Sequence, residues 1–266
     1  MTDREVRTGL VDLARRIERA EAEQLARTGA PGRAAALEVG GGLAVWKGPG
    51  SRHTAAFGLG LDGGVTPDEL DAVEAHLAGG PTRFEVAAPA LPTLAAALAR
   101  RGYRLERQLL VWCREVGREA RAPGRAGGDG SVRPILDGEE QAWVEVFARA
   151  FLGRAPGAAS EEASLLSLTA SAGSTCFAAF SGGRVAGVAM VSVHGGVATL
   201  SSAGVLPEHR RSGLHLALVG ARLAWASERG AELAAATTAP GAVSQRALER
   251  AGFRCAYPKA VLLREG

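Results

Sequence analysis

Aromatic residues are scarce in this chain, at 5% of 266 residues. A protein that reads nucleic acid usually joins a basic face to stacking aromatics. Here the net charge is only +3 and the arginines are scattered rather than blocked, so no nucleic-acid partner is expected. Cysteine is equally sparse. Cys113, Cys176 and Cys255 are odd in number and far apart, which implies no disulfide framework. No Cys/His spacing suggests zinc, and no metal is expected. A reducing cytoplasm is the simplest setting. No uncharged run reaches the length of a membrane span. Residues 1–9 are charged and carry no apolar stretch of the signal-peptide kind, so neither a membrane partner nor a leader is expected. What the chain does hold is 47% hydrophobic against 22% charged residues, enough to bury a core in one or two domains.

Helical and strand patterns alternate, which points to an α/β (α+β) fold. Leu10, Leu13, Ile17, Ala20 and Leu25 predict a first helix. Strands are expected over 35–39, 42–47 and 54–61, a helix over 67–77, a strand over 83–88, a helix over 92–101 and a strand over 104–114. Gly and Pro density marks a linker over 119–130, dividing a first domain, 1–118, from a second, 131–266. The second domain reads as helices over 137–152 and 161–172, then strands over 175–180, 184–193 and 197–206. A helix over 214–228, a strand over 233–238, a helix over 243–251 and a strand or hairpin over 254–264, bent at Pro258, complete it. The helical crossover predicts that the 197–206 and 233–238 strands are parallel.

One stretch organises the second domain. It is Val205-Leu-Pro-Glu-His-Arg-Arg-Ser-Gly-Leu-His215. Pro207 ends a strand, Arg210 and Arg211 follow, and a helix begins at Gly213. Free N–H groups and the positive end of the helix dipole converge there with two guanidinium groups. The physical reading is a pyrophosphate cradle.

These residues resemble the acyl-CoA-binding turn of the GNAT N-acyltransferases, in which Val205, Pro207, Arg210 and Gly213 match and His215 stands where Gly or Ala is usual. Ser244-Gln-Arg-Ala-Leu-Glu-Arg-Ala-Gly-Phe253 resembles that family's closing helix and Gly-Phe turn. The resemblance implies tandem GNAT-like domains, each a mixed, mostly antiparallel sheet flanked by helices, with a splayed parallel pair in the second. It implies acetyl-CoA as co-substrate. Ala203, Gly204, Val205 and Leu206 would pair with its pantetheine, and Arg210, Arg211, Ser212, Gly213 and Leu214 would hold its pyrophosphate. His215, Ser244 and Arg246 would lie along the cofactor, and residues 153–172 are a candidate lid over the acceptor.

The expected function is acetyl transfer to a primary amine of a small molecule, by a monomer or homodimer. A CoA-binding pseudoenzyme or sensor, or a peptide or protein N-acetyltransferase, are the alternatives. The family's usual acid–base groups are missing from their places: Ser201 and Ser202 stand where a carboxylate is common, and Leu248 where a tyrosine is. Tyr257 and His194 are the remaining catalytic candidates, beside core and loop readings of both.

The chain also repeats itself at an offset of 150 residues. Ala97-Leu98-Ala-Arg100-Arg-Gly102-Tyr103-Arg104 lies over Ala247-Leu248-Glu-Arg250-Ala-Gly252-Phe253-Arg254. At the point equivalent to the cradle the first copy offers Asp62, Asp68 and Glu69 and no arginine. The first domain is therefore expected to have kept the fold and lost the nucleotide site. Its expected role is to pack against the second domain or shape its acceptor pocket.

Overall fold

The computed structural model of the chain describes residues 3–27, 35–48, 51–117, 131–157 and 159–265. The expected linker, 119–130, lies outside them. The first half holds α1 (Asp3–Arg27), β1 (Ala35–Val39), β2 (Gly42–Trp46), β3 (Ala55–Phe57), α2 (Pro67–His76), β4 (Thr82–Ala87), α3 (Leu91–Arg100) and β5 (Arg104–Glu115). The second half holds β6 (Val132–Pro134), α4 (Glu140–Leu152), α5 (Ala159–Thr169), β7 (Ser174–Ser181), β8 (Arg184–His194), β9 (Val197–Val205), α6 (Leu214–Glu228), β10 (Leu233–Thr238), α7 (Ser244–Arg250) and β11 (Arg254–Arg264).

Three expectations need correcting. The helix expected from Asp137 starts at Glu140, because Gly138 turns with φ +89°. β3 is shorter than the apolar run 54–61, since Gly58 and Gly60 take positive φ and lead the chain out of the sheet. The last strand keeps its register at Pro258, opposite Leu110; its irregularities fall on either side, between Cys255 and Tyr257 and between Val261 and Leu262.

The two halves are joined in one sheet, with strand order β1-β2-β3-β4-β11-β5-β10-β9-β8-β7-β6. That order is nearly symmetric about β11 and β5. β3 runs parallel to β4, as β9 runs parallel to β10, and the other pairings are antiparallel. The halves exchange their last strands: β11 of the second pairs with β4 of the first, while β5 of the first pairs with β10 of the second. Pulling the halves apart would strip β5 and β11 of every strand partner and leave β4 and β10 with bare edges.

In the second half α6 and α7 cover one face, where Ala198, Leu200, Ala234 and Ala236 meet Leu218, Leu223 and Leu248. The other face carries Trp143 and Val146 of α4 against Cys176, Val188 and Met190. α1 binds the halves together. Its Ala22 packs with Leu43, Val45 and Phe57 of the first half, and its Ala14 and Ile17 share a cluster with Val197, Leu233 and Ala235 of the second.

Candidate active site

β9 and β10 begin together and then part. Their register holds only from Val197–Leu233 to Thr199–Ala235. Beyond that, β9 carries a bulge: Met190 faces Ser201 and Val188 faces Gly204, so one extra residue lies on β9. Ser202, at φ +51°, occupies the left-handed region there, a conformation that costs a non-glycine residue about 1–3 kcal/mol. The bulge bends β9 away from β10. Gly204 lets α4 press on the bent strand, for a Cβ at that position would stand 2.7 Å from the Cβ of Ala150.

The gap is a cavity of about 270 Å³. Its walls are Leu200 to Ala203 on β9 and Ala236 to Ala239 on and after β10. His215 and Arg222 of α6, Ser244 and Leu248 of α7 and Phe151 of α4 close it. Strand edges that would otherwise pair with each other face this space, ready to bond an extended amide-bearing chain.

At the end of β9 the backbone turns through a single 3-10 turn, Pro207–His209, into α6. Arg211 has φ +64° and Gly213, the N-cap, φ +86°. No side chain caps α6 and no acidic residue lies in its first turn. The leading N–H groups are thus open to an anion. Arg210 and Arg211 are exposed beside them, and among the described residues neither pairs with a carboxylate. Ser212 braces the turn by donating to the His209 carbonyl at 2.6 Å.

The model of the Acetyltransferase (GNAT) family matches residues 141–253. That match falls within the second half of the chain. The whole chain is similar in fold to a GCN5-related N-acetyltransferase from Kribbella flavida, with a TM-score of 0.67 at 18% identity over 96% of each chain. It is also similar to a tandem GNAT protein from the clavulanic acid biosynthesis pathway, with a TM-score of 0.60 at 18% identity, covering 99% of this chain and 96% of that one. A GCN5-related N-acetyltransferase from Sphaerobacter thermophilus gives a TM-score of 0.59 at 19% identity over 84% of this chain and 72% of that one. No curated protein matches.

Within the second half, Ala203, His215 and Ser244 line the cleft. Gly204, Val205 and Leu206 continue the same strand edge into the turn, and Arg246 is exposed on α7. Tyr257 and His194 do not line the cleft. Tyr257 is 2% exposed, and its hydroxyl donates to Glu18 at 3.0 Å. Burial and the Glu18 charge raise its pKa strongly. His194 ends β8, opposite Val197 at the far end of β9 from the cradle. Burial and then Arg27 lower its pKa, against an opposing pull from Glu23.

Two features escaped the sequence. Arg222 is 2% exposed and lines the cleft. It donates to the carbonyls of Leu218, Met190 and Ser201 at 3.0, 3.1 and 3.3 Å. With no carboxylate partner among the described residues, burial pushes its pKa down to about 9. Burial, then Arg222, push the His215 imidazole down to about 4, so it is neutral at pH 7. An arginine among helical leucines reads as a solvated face, so only the fold exposes it. The second feature is a buried charge cluster. Lys259 of β11 lies 3.0, 2.7 and 3.3 Å from carboxylate oxygens of Glu18, Glu21 and Glu85. These four come from α1, β4 and β11, far apart in sequence.

Among the described residues no group of three or more His, Cys, Asp or Glu side chains could hold a metal ion. No described helix is long and apolar enough to cross a membrane.

Proposed function

We propose that the protein is an acyl-CoA-dependent N-acetyltransferase that moves acetyl from acetyl-CoA to a primary amine of a small molecule. The observation that carries this reading is one juxtaposition: the splayed β9–β10 cleft meets the uncapped start of α6 at His215, beside Arg210 and Arg211, which pair with no carboxylate among the described residues. An uncapped helix start without acidic neighbours suits a pyrophosphate, and free strand edges suit the amides of pantetheine. The cofactor supplies an acyl group activated as a thioester. Arg210, Arg211 and the N–H groups of Ser212 to Leu214 hold its phosphates, and Ala203 to Leu206 hold its arm. An N–H at the β9 bulge polarises the thioester carbonyl. The guanidinium of Arg222, which pairs with no carboxylate among the described residues, favours the negative charge that develops on the departing sulfur.

A second reading has its own observation. Among the residues lining the cleft there is no carboxylate, and Leu248 fills the place of a tyrosine acid. A CoA-binding protein without chemistry fits that. Calorimetric titration with acetyl-CoA, followed by assay of free thiol released in the presence of a panel of amines, separates the two. Binding with turnover supports the enzyme; binding without turnover on any amine supports the sensor; no binding removes both.

A further inference from the structure

We infer that Glu21, carried by α1 of the first half, is the carboxylate that takes the proton from the acceptor amine at the cleft of the second half, with Gln24 beside it as a hydrogen-bonding contact. This rests on the acyl-CoA reading above. The ground for it is that one helix touches both walls of the cleft. Gln24 donates to Ser201 on the β9 wall at 2.7 Å. Thr237, on the β10 wall, donates to Glu21 at 3.4 Å. Ser201 and Thr237 both line the cavity. Residues 21 and 24, three apart, share one face of α1, so that face lies across the splay. The approach is opposite to α6 and α7, because Leu200 and Ala236, neighbours of Ser201 and Thr237, pack with the α6 and α7 core. Phosphate-binding elements are on one side of the gap, and a carboxylate from the other half is on the other.

Glu21 also differs from the rest of its cluster in access. Its side chain is 18% exposed, against 0% for Glu18 and 10% for Glu85. The groups that face it are Glu18 on its own helix, Lys259 and Tyr257 on β11, Glu85 on β4 and His53 in the loop before β3. Three carboxylates share one ammonium there, and burial pushes Glu18 up to about 7 and raises Glu85. Glu21 is thus the member of the cluster that combines access with a bond to the cleft wall.

In the transfer itself, an ammonium acceptor gives one proton to the Glu21 carboxylate. The freed nitrogen lone pair attacks the thioester carbon, the C–N bond forms, and the C–S bond breaks. Sulfur leaves as thiolate and takes the second proton from nitrogen. Glu21 then releases its proton to water. The products are the amide and free CoA thiol.

The first test needs no acceptor. A Glu21→Cys variant is incubated with bromoacetyl-CoA, whose bromide is displaced as the thiol sulfur bonds to the acyl CH2. Intact-mass measurement should show one adduct that excess acetyl-CoA suppresses. Labelling should be at least tenfold faster than in Glu23→Cys, whose position on α1 faces Arg19 and Arg27. The unaltered chain gives the background of Cys113, Cys176 and Cys255. Lys259 keeps Glu18 and Glu85, so the variant should fold, which its melting temperature checks. Analogue that binds by calorimetry but labels position 21 no faster than the background overturns the inference alone. Analogue that does not bind at all overturns the acyl-CoA reading and the inference with it. With an amine that the unaltered protein acetylates, Glu21→Gln should keep acetyl-CoA affinity and lose about 100-fold or more in kcat, the scale of a lost general base. Its rate should climb with pH until the amine itself is neutral, and Glu21→Asp should recover part of it. An unchanged kcat and pH profile in Glu21→Gln sinks the proposal.

Discussion

The helix that follows β3 in the first half and the helix that follows β9 in the second begin at the same place in the fold, yet α2 closes its own N-terminus and α6 leaves its open. In α2, Thr66 accepts from the Glu69 N–H, the Glu69 carboxylate accepts from the Thr66 N–H at 2.8 Å, and Asp68 adds a second negative charge in the first turn. This capping box satisfies the donors that an anion would otherwise find. In α6 there is no side-chain cap and no acid in the first turn. The clefts differ in the same sense. β3 and β4 pair only at Ala56–Phe84 and Phe57–Glu85 before parting, but Leu59 and Leu61, just past the end of β3, are buried, and a Cβ on Gly60 would stand 2.9 Å from Leu94 of α3. Across the pseudo-symmetry, β9 and β10 present Ser201, Ser202, Ala203 and Ala236 to a cavity. One framework is filled by its own side chains, and the other is kept open by small ones.

The harshest way to break this comparison is to remove the charges that distinguish α6. Charged hydrogen bonds contribute about 1.5–3 kcal/mol each. The Arg210→Ala, Arg211→Ala double variant should therefore bind acetyl-CoA roughly 100-fold to 10,000-fold more weakly by calorimetry, with its melting temperature unchanged because both side chains are exposed. Unaltered affinity would mean that the open helix start is not where the nucleotide sits.

The halves also bury charge differently, and pH separates them. The first half surrounds Lys259 with carboxylates; the second buries Arg222 with none. Burial raises the Glu18 pKa from 4.5 to about 7, against the opposing pull of Lys259. The folded state thus holds a proton that the unfolded chain has released. Glu18 contributes stability fully below 4.5 and loses it as pH rises through about 7. At about 1.4 kcal/mol per unit, the loss is up to about 3 kcal/mol. The neutral His215 imidazole adds stability in both proteins as pH rises to about 6.5, so the difference is what reports Glu18: between pH 5 and pH 8 the unaltered protein should lose melting temperature relative to Glu18→Gln, which keeps an acceptor for the Tyr257 hydroxyl. A fall of equal size in Glu18→Gln would place the titrating group elsewhere.

A smaller change makes α6 more like α2. His215 is the second residue of α6, as Asp68 is of α2. His215→Asp should put a carboxylate among the open N–H groups and weaken acetyl-CoA roughly tenfold, about 1.4 kcal/mol. Tighter binding would show that His215 obstructs the cofactor rather than lying beside it.

Much of the framework was legible before the structure. The turn at Val205 to His215 and the internal repeat each rest on local pattern, and β10 and β11 fall over 233–238 and 254–264 as expected. What was not legible is long-range. The strand exchange leaves no local trace, because β5 and β11 have the same apolar pattern whichever half they pair with. Tyr257 meets Glu18 at a separation of 239 residues, and no spacing rule reaches that far. β9 carries Ser201 and Ser202 where a carboxylate was expected from the resemblance. An acid bonded to the cleft wall lies instead on α1, read from sequence only as an amphipathic helix.

The gentlest test asks whether the capping box alone keeps a second nucleotide out. Thr66→Ala with Glu69→Gln removes the reciprocal cap of α2 and should lower stability by about 1 kcal/mol, the usual cost of a lost N-cap. It should create no second site. Asp68 still stands in the first turn, no arginine replaces the pair at 210 and 211, and the gap beyond β3 remains filled by Leu59, Leu61 and Leu94. A pantetheine arm has no room there, because making room means expelling buried leucines, each of which contributes about 2 kcal/mol of burial. Acetyl-CoA should therefore saturate the unaltered chain near one equivalent, and the variant at the same value. A second equivalent in the variant alone would show that the cap was the sole barrier. A second equivalent in the unaltered chain would end the distinction between an open half and a filled one.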